Sequence, residues 1–471
     1  MLGEVAIASR PPERYEVLLT EAEWRQFEEA IVDARRRMAG ATVFNVNSTA
    51  SGGGVAEMLR SLLAYVRGAG VDARWLVVAG TPDFFEVTKR IHNHLHGMPG
   101  DGGPLDERAR VAYEASLAPA AAELTRMVAP GDCVFLHDPH TLGLAPALRA
   151  AGVRIVWRCH IGMDEPNELA RRAQAFLVRY ALEADVCVFT RSSFAWDCLD
   201  PSQVTVVPPS LDSFSPKNYW LDEDAVGAIL GACGLQPDGA GGAARFRRSD
   251  GSTAPVVGQA ELVGGPGLPP DVTLVTQVSR WDRLKDHPGV MEAFVRHVAP
   301  RSDAHLVLAG PDVGAVADDP EGLQVLRECV ETWRALPTPG RDRVHLVCLP
   351  MHDDEENAVI VNAIQRRSAV VVQKSLVEGF GLTVTEAMWK RRPVVASRIG
   401  GIQDQIQHGR SGMLLDAPAD LAAFGDLVVD LLDHPDVARE LGRAAQATIR
   451  GRYLAPHGLM RYASVLQGLL G

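Results

Sequence analysis

Short apolar runs alternate with amphipathic stretches along most of the chain, a pattern typical of β/α alternation. The run at 369–373 is rich in Val and suits a strand that is buried on both faces. Residues 55–66 place apolar side chains at i, i+3, i+4, i+7, i+8 and i+11, which predicts one apolar helical face. The alternation pauses after 210 and resumes at 272, so it predicts two successive α/β domains.

The individual elements follow from the same pattern. The predicted strands are 42–47, 74–79, 133–136, 155–158, 186–190, 204–207, 272–279, 305–309, 344–349, 369–373, 393–397 and 413–415. The predicted helices are 55–66, 225–233, 289–298, 382–389, 419–433, 435–450 and 455–471. The predicted domains are 1–210 and 211–454, with Pro-rich sequence at 208–216 as the hinge between them.

Two stretches stand outside this alternation. Residues 1–40 are polar and partly helical by pattern, and no role follows from them. Residues 236–268 are rich in Gly, Ala and Pro, which predicts a flexible insertion with one hairpin near 245–252.

Composition excludes several classes of protein. A net charge of -12 in 471 residues disfavours a nucleic-acid binder and suits an enzyme. No apolar run approaches the roughly 20 residues of a membrane span, and the first residues lack the pattern of a signal peptide. The seven cysteines form no CxxC pair, so reduced thiols in the cytoplasm are expected and zinc is not.

Glycine turns follow two of the predicted strands. One spans 48–54, and in the other Gly379 and Gly381 flank Phe380 before a helix. Such turns leave backbone N–H groups free at a helix start, where they attract phosphate. Glu378 and Glu386, separated by seven residues, add acceptors for hydroxyl groups, so a diphosphate flanked by a sugar and a ribose would explain the set. The plainer interpretation is a helix start favoured by acidic residues.

Polar and charged residues also follow several strands. His137, Asp138 and His140 follow one strand and His160 follows the next, at the edge where a parallel sheet binds its ligand. Arg280 and Lys285 share one loop and could hold a diphosphate leaving group or form surface salt bridges. The residues of one further group, His92, His94 and His96, are expected in a solvated or substrate-facing loop, with a metal site as the alternative.

Longer motifs carry a family resemblance. SRWDRLKD, VEGFGLTVTEAMWKRRPVVAS and GGI resemble retaining GT-B glycosyltransferases of the glycogen-synthase-like family four. NVNSTASGGGVAEML, FFEVTKRIHN, HDP, WRCHI, PPSLD and QKSLVEGFG are similar to its trehalose glycosyltransferring branch. The resemblance implies an α/β GT-B fold, in which two Rossmann-like domains face a cleft and the last helix, 455–471, crosses back to the N-terminal domain.

The resemblance also implies site residues. The implied catalytic residues are His160, Arg280, Lys285 and Glu378. The implied donor-binding residues are Gly53, Gly54, Arg280, Lys285, Glu378, Gly379, Phe380, Gly381, Leu382, Thr383 and Glu386. The implied acceptor-side residues are Asn47, His92, Asn93, His137, Asp138, His140 and Asp164. The family's HID and HDPQ motifs read HIGMD and HDPH here, so the resemblance supports the donor side more than the acceptor side.

The implied activity is transfer of glucose from ADP-, UDP- or GDP-glucose to glucose, with retention, without metal or cofactor, to give α,α-trehalose. Three alternatives stay open: another hydroxyl acceptor such as a nucleoside or a secondary metabolite, a trehalose-phosphorylase-type reaction, and a hydrolase that uses Glu378 and Glu386. A non-catalytic sensor of nucleotide sugars is a further class. The expected partners are the nucleotide sugar and a small acceptor, with no nucleic acid or membrane, and a homodimer is left open.

Overall fold

The computed structural model describes residues 2–50, 53–237, 244–263, 267–315 and 320–470. The chain divides into two compact units, Met1–Ser210 with Tyr453–Gly471, and Leu211–Arg452. Each unit is built on one seven-stranded sheet. Among the helices of the described residues, none has the length and apolar character that crossing a membrane requires.

The sheet of the first unit has the order β1-β3-β2-β4-β5-β6-β7. Its strands are β1 (Leu2–Val5), β2 (Thr42–Asn47), β3 (Asp72–Val78), β4 (Cys133–His137), β5 (Arg154–Cys159), β6 (Val186–Phe189) and β7 (Val204–Val206). All neighbours run parallel except β1, which pairs antiparallel with β3. The central strands are almost wholly buried because helices cover both faces of a parallel sheet.

Within the described residues, seven α-helices precede the second unit. They are α1 (Glu21–Arg37), α2 (Gly54–Gly68), α3 (Pro82–Leu95), α4 (Glu107–Met127), α5 (Asp138–Leu142), α6 (Ala145–Ala150) and α7 (Glu168–Ala181). The apolar face predicted for α2 is confirmed, since Met58, Leu59, Leu62 and Leu63 are buried. The turn before α2 includes residues 51–52, which lie outside the described residues.

The polar segment at the amino terminus has a structural role that the sequence pattern did not reveal. Thr20 caps α1 in a reciprocal capping box with Glu23, which satisfies backbone N–H groups at the helix start. Met38 joins a cluster with Val465 and Leu466 of the last helix, α17 (Ala455–Leu470). The rings of Phe135 and Tyr462 meet edge to face, with centroids 5.8 Å apart. The last helix therefore packs on the sheet of the first unit.

The sheet of the second unit has the order β10-β13-β12-β11-β14-β15-β16. The strands described in this unit are β8 (Arg245–Arg247), β9 (Thr253–Pro255), β10 (Glu261–Val263), β11 (Leu274–Val278), β12 (His305–Pro311), β13 (Val344–Leu349), β14 (Val370–Gln373), β15 (Val394–Ser397) and β16 (Met413–Leu415). Strands β11 to β16 pair in parallel. All twelve predicted strands overlap observed ones.

The described part of the insertion is ordered around the predicted hairpin. Strands β8 and β9 pair antiparallel, and β10 adds an antiparallel edge strand to β13. The buried carboxylate of Glu356 accepts hydrogen bonds from the backbone N–H groups of Val257 and Gly258, at 2.5 and 2.6 Å. The insertion is thereby fastened to the helix that contains Glu356. Residues 238–243 and 264–266 of the predicted insertion lie outside the described residues.

The helices of the second unit follow its strands in turn. They are α8 (Glu223–Ala232), α9 (His287–Ala293), α10 (Pro320–Ala335), α11 (Thr338–Arg341), α12 (Asp354–Arg367), α13 (Leu382–Trp389), α14 (Ile402–Gln405), α15 (Leu421–Asp433) and α16 (Pro435–Arg452). The helix predicted at 289–298 is observed as α9, which continues directly into a π-helical turn at Phe294–Val298. The predicted fold class is confirmed, because each unit has a largely parallel seven-stranded sheet with helices and because α17 belongs to the first unit.

A stacked histidine pair at the start of β12 and β13 predicts a pH-dependent stability. His305 Nδ1 lies 2.9 Å from His345 Nε2, and the rings are 10° from parallel. Burial lowers the pKa of His345 to about 4 and lowers that of His305 as well. The unfolded chain takes up protons near pH 6.5 while the folded pair stays neutral, so stability falls as pH drops from about 6.5 to about 4.

His345→Gln should flatten part of this fall, by on the order of 2 kcal/mol between the two pH values. The measurement is the urea midpoint as a function of pH. Val344→Ala on the same strand is the control, because it should lower the midpoint by a similar amount at every pH. An unchanged slope in His345→Gln would contradict the assignment.

Candidate active site

In the first unit, polar side chains meet at the carboxyl edge of the sheet. His137 ends β4, and its Nε2 lies 2.9 Å from Oδ1 of Asn45 on β2. His160 follows β5, and its ring stacks on that of His137 with centroids 5.7 Å apart. Parallel neighbouring strands end at the same edge, so residues distant in sequence become neighbours there.

Asp138 fixes the position of His160. Its carboxylate accepts a hydrogen bond from the backbone N–H of His160 at 2.7 Å and lies 3.1 Å from His160 Nδ1. Its backbone is left-handed, with φ of 59°, and its carbonyl accepts from Trp157 Nε1 at 3.2 Å. Asp tolerates this conformation better than most residues. The turn thus directs one carboxylate at the backbone N–H and at the ring Nδ1 of His160.

Burial and charge set the protonation of this group. Burial and the neighbouring His160 lower the pKa of His137 to about 3, and burial lowers the pKa of His160. Burial opposes the charge on Asp138, but the hydrogen bonds from the backbone N–H and the ring of His160 hold the pKa of that carboxyl below its usual range. We assign a neutral His160 that donates Nδ1–H to an ionised Asp138. Its Nε2 is buried without a hydrogen-bond partner in the described residues and can accept one from a hydroxyl group.

Asn47 supports the glycine turn that follows β2. Its Oδ1 accepts from Trp75 Nε1 at 2.8 Å, and its Nδ2 donates to the carbonyl of Thr49 at 2.6 Å. Gly53 is the residue before α2, and Gly54 is the first residue of that helix. The start of α2 therefore lies at the same sheet edge as the histidines.

The segment that contains His92, Asn93 and His94 is helical, so the loop predicted there is wrong. It forms the last turn of α3, because Phe84, Val87, Ile91 and Leu95 supply a buried apolar face. His94 and His96 are buried, and His96 Nδ1 lies 3.2 Å from the carbonyl of Gly162. Within the described ranges, no three His, Cys, Asp or Glu residues are grouped as metal ligands.

His140 and Asp164, which the family resemblance assigned to the acceptor side, have different surroundings. His140 lies in α5, and its charge helps to lower the pKa of Asp138. Asp164 instead forms an ion pair with Arg191 and accepts from Ser193 Oγ at 3.0 Å. Asp164 therefore orders the loop after β6, whereas His140 belongs to the group around Asp138.

In the second unit, the cationic loop after β11 is joined to Glu378. Lys285 Nζ lies 2.7 Å from Glu378 Oε2, and Ser375 Oγ lies 3.2 Å from the same oxygen. Arg280 Nη2 lies 3.2 Å from Asp282, with 40% of its side chain exposed. The sequence analysis predicted that Lys285 binds phosphate and that Glu378 binds sugar hydroxyl groups. In the structure these two side chains are in direct contact.

The glycine turn after Glu378 depends on a close backbone approach. Gly400 has φ of 45°, and a Cβ there would lie 1.8 Å from the carbonyl oxygen of Glu378. Gly401 N–H donates to the carbonyl of Gly379 at 3.0 Å, and Gln405 Nε2 donates to that of Phe380 at 2.6 Å. The segment after β15 therefore fixes the backbone of the glycine turn through these contacts.

Helix α13 begins directly after this turn. Gly381 is left-handed with φ of 84°, Leu382 is the first helical residue, and Thr383 Oγ1 donates to Gln373 at 3.0 Å. The N–H groups of a first helical turn have no partner within the helix and favour an anion. Glu386, 4% exposed, lies in the next turn, with its Oε1 3.8 Å from Lys217 Nζ.

Sequence reasoning missed several residues of this site. Lys217 follows the Ser-Pro pair of the predicted hinge, and Lys374 is a lysine directly after a buried strand. A charged residue at the end of a buried strand was the available signal for Lys374. Gln277, Asp286 and Ser375 gave no comparable signal, because only their long-range contacts distinguish them.

Comparison with known proteins gives the family. A family model described as the N-terminal domain of trehalose synthase matches residues 45–196, and one described as glycosyl transferases group 1 matches residues 270–434. The trehalose synthase of Rubrobacter xylanophilus is 34% identical over 443 residues, which cover 92% of either chain. The trehalose synthase of Pyrococcus horikoshii is 31% identical over 471 residues, which cover 99% of either chain.

The chain belongs to the trehalose synthase family. The predicted family is therefore confirmed, and the chain is a trehalose-related glycosyltransferase of the hexosyltransferase class. A UDP-forming α,α-trehalose-phosphate synthase from Burkholderia vietnamiensis has the same GT-B fold, with a TM-score of 0.65 at 16% identity. That match covers 91% of this chain and 97% of the other.

The contact between Asp138 and His160 predicts the effect of one substitution. Asp138→Asn keeps the size and tolerates the left-handed backbone, but a neutral amide holds the Nδ1–H tautomer of His160 less firmly. The expected result is a fall in kcat for glycosyl transfer of about a hundredfold, smaller than for a triad aspartate because His160 need not become charged.

The measurement is kcat at saturating substrates, with the circular dichroism spectrum and Tm as checks of folding. Asp164→Asn is the matched control, since it removes the same charge beside Arg191 and should change kcat far less. Equal kcat values for wild type and Asp138→Asn would refute the assigned role of Asp138.

Proposed function

We propose that this protein transfers glucose from a nucleoside-diphosphate glucose to free glucose with retention and forms α,α-trehalose. The observation that carries the proposal is the contact between Lys285 and Glu378 beside the start of α13, in a member of the trehalose synthase family. A cation for phosphate and a carboxylate for hydroxyl groups stand there side by side. A nucleotide sugar presents these two kinds of group next to each other.

The donor side follows from the chemistry of its residues. Arg280 and Lys285 bind the diphosphate together with the N–H groups of Gly379, Phe380 and Gly381. Glu378 then accepts hydrogen bonds from the sugar. In the first unit, Gly53 and Gly54 at the start of α2 present backbone N–H groups that suit a phosphate. Glu386 accepts from the ribose hydroxyls, and Lys217 supplies a cation with its Nζ 3.8 Å from Oε1 of the buried Glu386. A nucleoside-diphosphate donor is supported by the structural neighbour from Burkholderia vietnamiensis, which is a UDP-forming α,α-trehalose-phosphate synthase.

The acceptor side is assigned to the edge of the first sheet. A neutral His160 offers Nε2 to a sugar hydroxyl, and Asp138 prevents that ring from turning. Asn47, His92, Asn93, His137 and His140 lie on the elements around it. Such fixed polar groups orient a small, hydroxyl-rich acceptor better than flexible ones because little conformational entropy is lost on binding.

The proposed reaction is a displacement on one face of the sugar. The bond from the anomeric carbon to the diphosphate oxygen breaks as the bond to the acceptor oxygen forms. The acceptor proton passes to the leaving phosphate oxygen. The protein contributes orientation and electrostatic stabilisation of the departing diphosphate. Because Arg280 and Lys285 supply the positive charge, we propose that no metal or cofactor takes part, and the seven free cysteines suit a cytoplasmic enzyme.

A substrate panel tests this proposal. ADP-, UDP- and GDP-glucose are each incubated with glucose, other sugars and nucleosides, with and without EDTA, and products are identified by mass and NMR. The expected product is α,α-trehalose, formed at the same rate with EDTA. A parallel reaction of trehalose with inorganic phosphate tests the phosphorylase alternative. Activity that EDTA abolishes and Mg²⁺ restores would overturn metal independence, and a different product would overturn the acceptor.

Substitution of the two glutamates separates a transferase from a hydrolase. Glu386 contacts ribose equally in the ground and transition states, so Glu386→Gln should mainly raise the donor KM. Glu378 lies beside the ring that gains positive charge, so Glu378→Gln should lower kcat more than it raises KM. It also removes the ion-pair partner of Lys285.

Both constants are measured for both variants with saturating acceptor. A hydrolase with paired carboxyl groups would lose kcat equally in the two variants and keep its donor KM. That pattern would exclude the roles proposed for these two residues.

A further inference from the structure

We propose that Lys374 is a positioning residue for the transfer reaction. It acts through an ion pair with Asp286, which fixes the positions of the Lys285 and Glu378 side chains relative to each other. The inference rests on the proposed function, because it concerns the residues assigned there to the diphosphate and the donor sugar. It adds a buried cation that does not itself have to touch the substrate.

Lys374 is buried where the fold alone does not call for a charge. It directly follows β14, is 1% exposed, and its Nζ forms an ion pair with the carboxylate of Asp286. Desolvation of a buried ion pair costs several kcal/mol per ion, and apolar replacements are often neutral or stabilising. Stability is therefore a weak explanation for a lysine at this position, and a demand for precise placement is a better one.

The loop 284–286 and the segment 374–376 are joined at several points. Leu376 N–H donates to the carbonyl of Leu284 at 2.7 Å. The fully buried side chain of Gln277 donates to the carbonyl of Lys285 at 2.9 Å and accepts from the backbone N–H of Lys374 at 3.2 Å. These hydrogen bonds join the two segments into one rigid unit, and the ion pair between Lys374 and Asp286 is a further link between them.

Asp286 transmits this constraint to Lys285. It is a non-glycine residue in the left-handed region, with φ of 52°, directly after Lys285. One carboxylate oxygen accepts from the N–H of Gly289 at 3.2 Å at the start of α9, and the other pairs with Lys374. The carboxylate is held at both oxygens, so the backbone turn that directs the Lys285 side chain is fixed.

The same arrangement places Glu378. Lys374 lies four residues before Glu378, and between them Ser375 Oγ lies 3.2 Å from the Glu378 carboxylate. A displacement of about 1 Å in a catalytic group can cost about a hundredfold in rate. Without the ion pair between Lys374 and Asp286, the segments that contain Lys285 and Glu378 could shift relative to each other. The ion pair between Lys285 and Glu378 would then no longer be held in one position.

The test uses the full chain and the variants Lys374→Met, Asp286→Asn and both together. Lys374→Met keeps the length and removes the charge, while Asp286→Asn keeps the left-handed turn and the acceptor for Gly289. Each single variant should lower kcat by about ten- to a hundredfold with a change of less than about threefold in donor KM, as expected for lost orientation rather than lost binding. The double variant should be no slower than the slower single variant, because both remove one interaction.

Arg301→Met is the matched control, since it breaks an ion pair with Asp426 on the surface of the same unit. It should leave kcat unchanged. Lys374→Arg retains the charge and should recover a large part of kcat, which a requirement for volume alone would not produce. If Lys374→Met does not fold, the comparison rests on Asp286→Asn and Lys374→Arg.

Hydrogen exchange gives a readout that needs no activity. In Lys374→Met the amides of 284–289 and 374–378 should exchange faster than in the wild type, with the remainder of the second unit unchanged. An active wild type with a normal kcat in Lys374→Met and Asp286→Asn would overturn this inference and leave the proposed function intact. A wild type inactive with every nucleotide sugar would overturn the proposed function, and the exchange pattern would then decide whether the ion pair orders the two loops.

Discussion

The ion pair between Lys285 and Glu378 is the contact on which the proposed donor site depends. It joins the loop after β11 to the loop after β14, two strands that neighbour each other in the sheet. A cation and a carboxylate at 2.7 Å stabilise each other, but either can exchange its partner for a substrate group of the right charge or hydrogen-bonding type. The pair thus supplies the proposed binding site with one charge of each sign, and each of these partly buried charges has a partner.

The backbone around this pair has little freedom. Gly400 must approach the carbonyl of Glu378 more closely than any residue with a Cβ would allow, and Gly381 must be left-handed at the start of α13. Glycine is the residue that meets both conditions at little steric cost. The glycines of the motif therefore serve the geometry of the turn as well as access of a phosphate to backbone N–H groups.

The first unit solves a related problem with different groups. Asp138 is buried beside His160 and, by accepting two hydrogen bonds from it, determines which ring nitrogen faces the protein. The remaining nitrogen is left as an acceptor. In a glycosyltransferase of the trehalose synthase family, such a group suits a substrate that offers hydroxyl groups. Each unit thus presents its polar groups at the carboxyl edge of a parallel sheet, as α/β proteins commonly do.

The sequence by itself determined twelve of the strands, the two-domain α/β architecture, the glycine turns and the family. Apolar periodicity and glycine placement are local properties, so they can be interpreted within a window of about fifteen residues. The same locality explains the error at His92 to His96, where three histidines in five positions obscured the apolar face of α3. It also explains why the edge strands β1 and β10 were missed, since these short strands are recognisable only by their pairing with β3 and β13.

Only the tertiary structure decided which charges meet. Lys285 pairs with Glu378 across 93 positions, and Lys374 pairs with Asp286 across 88. His160 likewise reaches Asp138 from 22 positions away. Nothing in a local pattern selects one carboxylate over another, because the choice depends on the order of the strands and on where each ends. The sequence therefore determined which chemical groups are available, and the sheet decided which of them act together.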